Sequence, residues 1–226
     1  MNKSKVTVIM VSFYSQDLIE KTINLINKEI EIIVVENSNS SQCKELLEKK
    51  YTNVKVILSE KNLGNGAGIN AGLKKANTKY AFYIDIDTEI QKDTIRNLLD
   101  EAGKIGDFAL LAPLVENYEY KKTDYYQNIK SGDSKQIRMN FVPGCAMFFN
   151  IEKIKQIGFF DENFFFYFEE IDLCKRLVNH GKKIYLVPDI IIHHEGGASH
   201  EKSIKKEMEL SRNWHWMWST FNYHRK

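Results

Sequence analysis

Two kinds of apolar patterning alternate through the first half of this chain, and they constrain the fold more than anything else in it. Val6–Phe13 is apolar and rich in β-branched residues, and Ile30–Val35, Val54–Leu58 and Lys79–Ile84 are short, mainly apolar runs. Such runs suit strands covered on both faces. Helical patterning separates them. Gln16–Lys28 brings Leu18, Ile19, Thr22, Ile23, Leu25 and Ile26 near helical spacing, and Ser41–Lys50 and Gly66–Ala76 read as the next two helices. In Asp93–Lys104 the residues Ile95, Leu98, Leu99 and Ala102 share one face. A β-α-β-α-β-α-β order predicts an α/β fold with a mostly parallel central sheet flanked by helices. Ligands of such sheets sit beyond the carboxyl ends of the strands. The segments Ser12–Ser15, Glu36–Ser40, Ser59–Asn65 and Asp85–Thr88 are therefore expected to converge on one crevice.

The second half is patterned differently. Glu116–Ile137 is polar and carries Tyr118, Tyr120, Tyr125 and Tyr126, as a surface excursion over the crevice would. Apolar order returns at Phe141–Phe149, a helix is expected near Glu169–His180, and a strand at Lys183–Val187. Residues 1–200 then form one domain. Glu201–Lys226, with three tryptophans, forms a C-terminal helical tail.

Composition narrows the function classes. The 226 residues hold 32 Lys and Arg against 30 Asp and Glu, a net charge of +2. That is too little basic excess for a nucleic-acid binder. No apolar run approaches the roughly 18 residues of a spanning helix, and no apolar signal region follows Met1. Three widely spaced cysteines, Cys43, Cys145 and Cys174, form neither a disulfide framework nor a zinc pattern, which points to a reducing cytoplasm.

Five clusters can carry chemistry. In Asp85-Ile86-Asp87 a strand ends in two carboxylates that point the same way. Their repulsion is relieved by a proton or by a cation such as Mg²⁺ or Mn²⁺. The bland alternative is a solvated strand end, but its place after the fourth strand favours the cation. Glu36-Asn37-Ser38 ends the second strand and fits either a base or ribose contact or a plain turn. Asn62-Leu63-Gly64-Asn65-Gly66-Ala67-Gly68-Ile69-Asn70 lacks the third glycine of a dinucleotide fingerprint, since Ile69 stands there; it is a helix start able to approach an anion, or an ordinary cap. Phe164–Phe168 empties into Glu169, Glu170 and Asp172. These acids either stabilise a helix N-terminus, with Asp172 paired to Arg176, or include a general base beside an apolar wall. In His193-His194-Glu195-Gly196-Gly197 the two histidines fall on opposite strand faces, so at most one can serve as a third metal ligand.

In this order, from Val6 to Ser199, the motifs resemble the inverting family-2 glycosyltransferases of the GT-A fold, in their rhamnosyltransferase-like branch. The resemblance runs through Val11-Ser12-Phe13, Val35–Ser38, Asn62-Leu63-Gly64 with Asn70, Asp85–Thr88 and Val142-Pro143-Gly144-Cys145. It continues through Gly158–Glu162, Phe165–Arg176, Val187-Pro188-Asp189 and His194–Ser199. It implies that Asp85, Asp87 and His194 hold Mg²⁺ or Mn²⁺ on a donor diphosphate. It further implies that Ser12, Phe13, Glu36, Asn37, Asn62, Gly64, Asn70 and Asp85 bind the nucleotide, and that Gly144 and Cys145 lie on the acceptor side. Glu170 takes the place of the base that activates the acceptor hydroxyl. Glu36 and Glu170 stand where Asp is usual, and Tyr14 where Asn often is, so Glu169 and Asp172 remain alternatives for the base. The implied reaction moves a sugar from a dTDP- or UDP-sugar, rhamnose among them, to a saccharide or lipid-linked acceptor of bacterial surface polysaccharide. The competing readings are a sugar nucleotidyltransferase, for which Ser12–Asp17 lacks a basic glycine-rich loop, and a decayed sugar-nucleotide-binding scaffold.

The tail bears on location. Leu210, Trp214, Met217, Trp218 and Phe221 share one helical face, with Lys205, Lys206, Arg212 and Arg225 nearby. That face can pack on the body, pair with a second copy, or lie in the inner membrane interface.

Overall fold

The computed structural model describes residues 4–121, 136–196 and 205–226. The predicted alternation forms as β1 (Val6–Ser12), α1 (Gln16–Ile23), β2 (Glu31–Glu36), α2 (Ser41–Lys50), β3 (Val54–Leu58), α3 (Asn65–Leu73) and β4 (Tyr80–Ile84). Helix α1 stops earlier than its apolar spacing suggests. Asn24 caps it, and the Asn27 side chain takes the Glu29 amide at 2.9 Å in the turn that follows. The chain continues with β5 (Thr88–Glu89), α4 (Thr94–Ile105), β6 (Leu110–Val115), β7 (Ile137–Met139), β8 (Ala146–Asn150), α5 (Ile151–Lys155), α6 (Glu169–Asn179), β9 (Ile184–His194) and α7 (Lys205–Arg225).

One sheet of nine strands among the described residues joins them, in the order β3-β2-β1-β4-β8-β6-β9-β5, with β7 beside β9. Strands β1 to β4 are mutually parallel, as predicted. Beyond β4 the sheet is mixed: β8 runs antiparallel to both β4 and β6, and only β6 and β9 return to parallel pairing. The mostly parallel expectation therefore holds for the first half alone, where each strand is followed by a crossover helix. Strand β9 outruns the predicted Lys183–Val187. Its pairing with β6 jumps from Val187 to Ile191, so Pro188 sits in a bulge, where its missing amide breaks no ladder bond.

Side chains of alternate strand residues build two cores. Val6, Val8, Met10, Ile32 and Val34 meet Ile19, Ile23, Leu47, Ile95 and Leu98 of α1, α2 and α4 on one face. Ile9, Ala81, Tyr83 and Met147 meet Ile69, Leu73, Ile154, Leu173 and Leu177 of α3, α5 and α6 on the other. At about 25 cal/mol per Å² of buried apolar surface, these two cores are the main source of stability. Helix α3 lies close on β1, because a Cβ on Gly72 would come within 2.6 Å of the Ile9 side chain. The polar excursion begins with Tyr118 packed edge-on against Tyr120. Tyr125 and Tyr126 lie outside the described residues.

Candidate active site

Strand β1 is flanked by β2 on one side and β4 on the other. Chain direction across the sheet reverses there, which opens a crevice at the carboxyl ends of β1 and β4. The crevice measures about 1490 Å³. Ser12, Phe13, Asn37, Asn62, Gly64, Asp85, Asp87, Gly144, Cys145, Glu169, Glu170 and His194 all line it. Glu36, Asn70 and Asp172 do not.

The acidic end is built by β4, β5 and β9. The Asp85 amide donates to the Cys145 carbonyl at 2.8 Å, and the Thr88 amide to the Asp85 carbonyl at 3.0 Å, which shapes the turn carrying both aspartates. Pairing of Thr88 with His194 sets the imidazole opposite that turn, while His193 faces the other way beside Glu116. His194 Nε2 is 3.2 Å from Asp87 Oδ1 and 3.5 Å from Asp85 Oδ2. One ligand atom from each residue falls within 4.8 Å of the others. Two carboxylate oxygens and one imidazole nitrogen suit a Mg²⁺ or Mn²⁺ ion that keeps positions for substrate oxygens. Burial, followed by the Asp87 charge, pushes the Asp85 carboxyl up to about 7. Burial works against the His194 cation, yet hydrogen bonds to Asp87 and Cys145 and the Asp85 charge outweigh it and lift the imidazole to about 10. The site thus crowds negative charge that a cation would neutralise.

A hydrogen-bonded chain links this end to α6. The Tyr83 hydroxyl lies against Asp85 Oδ1 and 2.9 Å from Asn65 Oδ1, while Asn65 Nδ2 donates to Glu169 Oε1 at 2.9 Å. Glu169 is 4% exposed, and its Oε2 has no partner among the described residues. Burial and then the Glu170 charge push its carboxyl up to about 8. Glu170 packs over Gly144, where a Cβ would come within 3.2 Å of Glu170 Cγ. Burial raises its carboxyl as well, above the ordinary range expected for a free glutamate. Both acids are aimed by two successive left-handed residues, Tyr167 (φ 67°) and Phe168 (φ 69°). Each costs about 1–2 kcal/mol for a bulky side chain. Helix α7 holds them: Trp216 packs on Tyr167 and Phe168 with ring centroids 5.3 and 5.4 Å away, and Ser219 Oγ donates to the Phe166 carbonyl at 2.8 Å.

At the other end, Ser12 Oγ and Asn37 Oδ1 are buried without partners among the described residues and line the crevice, as groups awaiting a polar ligand would. Asn37 Nδ2 donates to the Gly64 carbonyl at 3.0 Å, which ties the second and third strand-end loops together.

Three expected site residues are engaged in the scaffold. Glu36 is 1% exposed, and its carboxylate accepts from the Ser38 and Ser40 amides at 3.1 and 2.7 Å, so it braces its own loop. Asn70 clamps the Phe160 backbone in both directions, at 2.9 and 3.1 Å. Asp172 holds Arg176 at 2.7 Å and Lys226 at 3.0 Å, on the far side of α6. Sequence reasoning missed the roles of Asn65, Tyr83 and the inner face of α7. Tyr83 was within reach of it, because a residue two before Asp85 on a strand shares its face.

The family profile described as glycosyl transferase family 2 matches residues 7–168, which is 162 of 226 residues. The low-salt glycan biosynthesis hexosyltransferase Agl10 of Haloferax volcanii is 23% identical over 188 residues, covering 75% of this chain and 60% of that protein. The cholesterol galactosyltransferase of Borreliella burgdorferi is 31% identical over 109 residues, covering 45% of this chain and 30% of that protein. This chain therefore spans less than two thirds of the length of these relatives. The crystal structure of GalNAc-T7 with UDP, GalNAc and Mn²⁺ superposes with a TM-score of 0.69 at 17% identity, over 88% of this chain and 46% of that one. The sheet with its switch point at β1 and β4 is thus the GT-A fold, and the chain belongs to glycosyl transferase family 2.

Proposed function

We propose that this protein is an inverting, metal-dependent glycosyltransferase that moves a hexose from a nucleoside-diphosphate donor to a hydroxyl acceptor in surface polysaccharide synthesis. One observation carries the reading: the Asp85–Asp87–His194 cluster and the Glu169–Glu170 pair line one crevice at a topological switch point. Support for a uridine diphosphate donor comes from the UDP and Mn²⁺ held by GalNAc-T7. Rhamnose remains the donor sugar suggested by the branch resemblance. The acceptor is a saccharide or a lipid-linked glycan.

The geometry supports the following roles. Ser12, Phe13 and Asn37 receive the nucleoside at the ends of β1 and β2, with Asn62 and Gly64 beside them. Asp85, Asp87 and His194 would hold a divalent cation, which supplies positive charge to the departing diphosphate. Glu170 takes the proton of the acceptor hydroxyl as its oxygen bonds to the anomeric carbon, the bond to the diphosphate oxygen breaks, and the configuration inverts. Glu170 is favoured because Asp172 is locked to Arg176 and Lys226, and Glu169 to Asn65. Its burial-raised affinity for a proton improves it as a base. Gly144 and Cys145 floor the acceptor side.

The test is calorimetric and kinetic. UDP or dTDP binding should depend on Mn²⁺ or Mg²⁺, and Asp87→Ala should remove that dependence together with transfer. Glu170→Gln should lower kcat by about 10²–10⁴-fold while leaving nucleotide affinity unchanged. Full transfer in the presence of a chelator would refute the reading.

A further inference from the structure

Helix α7 has two working faces. The inner one carries the buried Ser219 and Asn222 and walls the crevice with Arg212, His215 and Trp216. The outer one presents Leu210, Trp214, Met217, Trp218 and Phe221, each between 43% and 64% exposed. Their spacing makes a single stripe about 16 Å long. Among the described residues the stripe packs mainly on itself, with Trp218 6.0 Å from Trp214 and 6.1 Å from Phe221.

Charge identifies the occupant. Exposed Lys206 precedes the stripe by one turn, and exposed Arg225 closes it, its guanidinium 6.0 Å from the Phe221 ring. Glu207 stands three and seven residues before Leu210 and Trp214, at the Lys206 end of the stripe, where it also lines the crevice, and Glu209 falls about a quarter of a turn from the stripe. An anionic surface satisfies both ends at once, and tryptophan favours the headgroup boundary. No described helix is long and apolar enough to cross a bilayer.

We propose that the outer face of α7 seats the protein on an anionic lipid surface, with the stripe in the headgroup boundary and Lys206 and Arg225 on headgroup phosphates. Because the inner face walls the crevice, this seating turns the acceptor end towards molecules held in the membrane. That last consequence rests on the glycosyl-transfer reading; the seating does not.

The full chain is sedimented with phosphatidylcholine vesicles with and without phosphatidylglycerol, while tryptophan emission is followed. Binding is expected only where phosphatidylglycerol is present, with a blue shift. Trp214→Ser/Trp218→Ser and, separately, Lys206→Glu/Arg225→Glu should each weaken binding by about tenfold or more. Circular dichroism should stay unchanged, and nucleotide affinity should serve as the folding control. No binding to phosphatidylglycerol, or binding that neither double variant weakens, overturns the proposal. So does self-association in analytical centrifugation that Trp214→Ser/Trp218→Ser abolishes, which would assign the stripe to a second copy. Vesicle binding by a protein without transferase activity would leave the seating intact and remove only the enzymatic reading.

Discussion

Asn65 spends both ends of its amide on buried groups, one on Glu169 and one on Tyr83, which in turn touches Asp85. It fixes the distance between the acidic pair and the aspartate turn without touching a reacting atom. Asn65→Leu leaves the buried Glu169 carboxyl unpaired and removes one of the two acceptors beside the Tyr83 hydroxyl, and should cost about 1–3 kcal/mol in urea denaturation. In the same variant, metal affinity measured by calorimetry should fall, because Tyr83 is no longer held against Asp85. Glu169 has a pH signature of its own. Its folded carboxyl is lifted from 4.5 to about 8. The folded state therefore keeps a proton that the unfolded chain has released, so between those values stability falls as pH rises. The unliganded protein should lose several degrees of Tm from pH 5 to pH 8, and Glu169→Gln should flatten that loss. A variant whose melting curve keeps the wild-type slope would place the buried charge elsewhere. These residues were legible as an acidic helix start but not as individual roles. An acid's burial and its partners come from other elements, which is also why Glu36 and Asp172, plausible by type, turn out to be engaged in the scaffold.

At the scale of elements, two glycines show how the same residue type serves different ends. Gly64 has φ +80°, and a Cβ there would lie 2.1 Å from the Phe165 carbonyl oxygen, which also receives the Asn65 amide at 2.8 Å. Gly64→Ala should therefore displace the α3 start from the aromatic loop. A loss of about 3 kcal/mol or more is expected, together with the loss of nucleotide binding. Gly103 lies inside α4 with nothing within 4 Å of its Cβ position and an ordinary helical φ. Gly103→Ala should stabilise by about 0.5–1 kcal/mol, visible as a raised urea midpoint. Most of the elements could be read in advance because their periodicity is local. Strand β6 could not: its run contains Pro113, and its two neighbours, β8 and β9, are contributed by distant parts of the chain. The antiparallel insertion of β8 was hidden for a similar reason, since an apolar run carries no sign of direction.

Across the whole molecule, the tail completes the body. Ser219, fully buried, bonds the Phe166 carbonyl, and Phe165 stacks on His215 with centroids 4.3 Å apart. Ser219→Trp cannot fit there and should lift α7 from the aromatic loop at a cost of about 1–3 kcal/mol. Under the glycosyl-transfer reading, the acceptor KM should rise about tenfold or more while nucleotide affinity, set at the far end of the crevice, changes by less than about twofold. Initial rates and calorimetry on one preparation would separate the two effects.

By itself, the amino-acid order determined the parallel half of the sheet, the helices over it and the convergence of strand ends on one crevice. Each of these follows from periodicity and from chain connectivity between neighbours. It also determined that only one of His193 and His194 can join the aspartates, because side chains alternate along a strand; Asp85 and Asp87 are brought together by the turn after β4 and not by the strand alternation expected of them. Only the tertiary structure decided which acids reach the crevice, that Asn65 and Tyr83 join its two ends, and that one face of α7 walls the crevice while the other is exposed among the described residues. Those outcomes depend on contacts between residues far apart in the chain, whose energies exist only once both partners have been brought together.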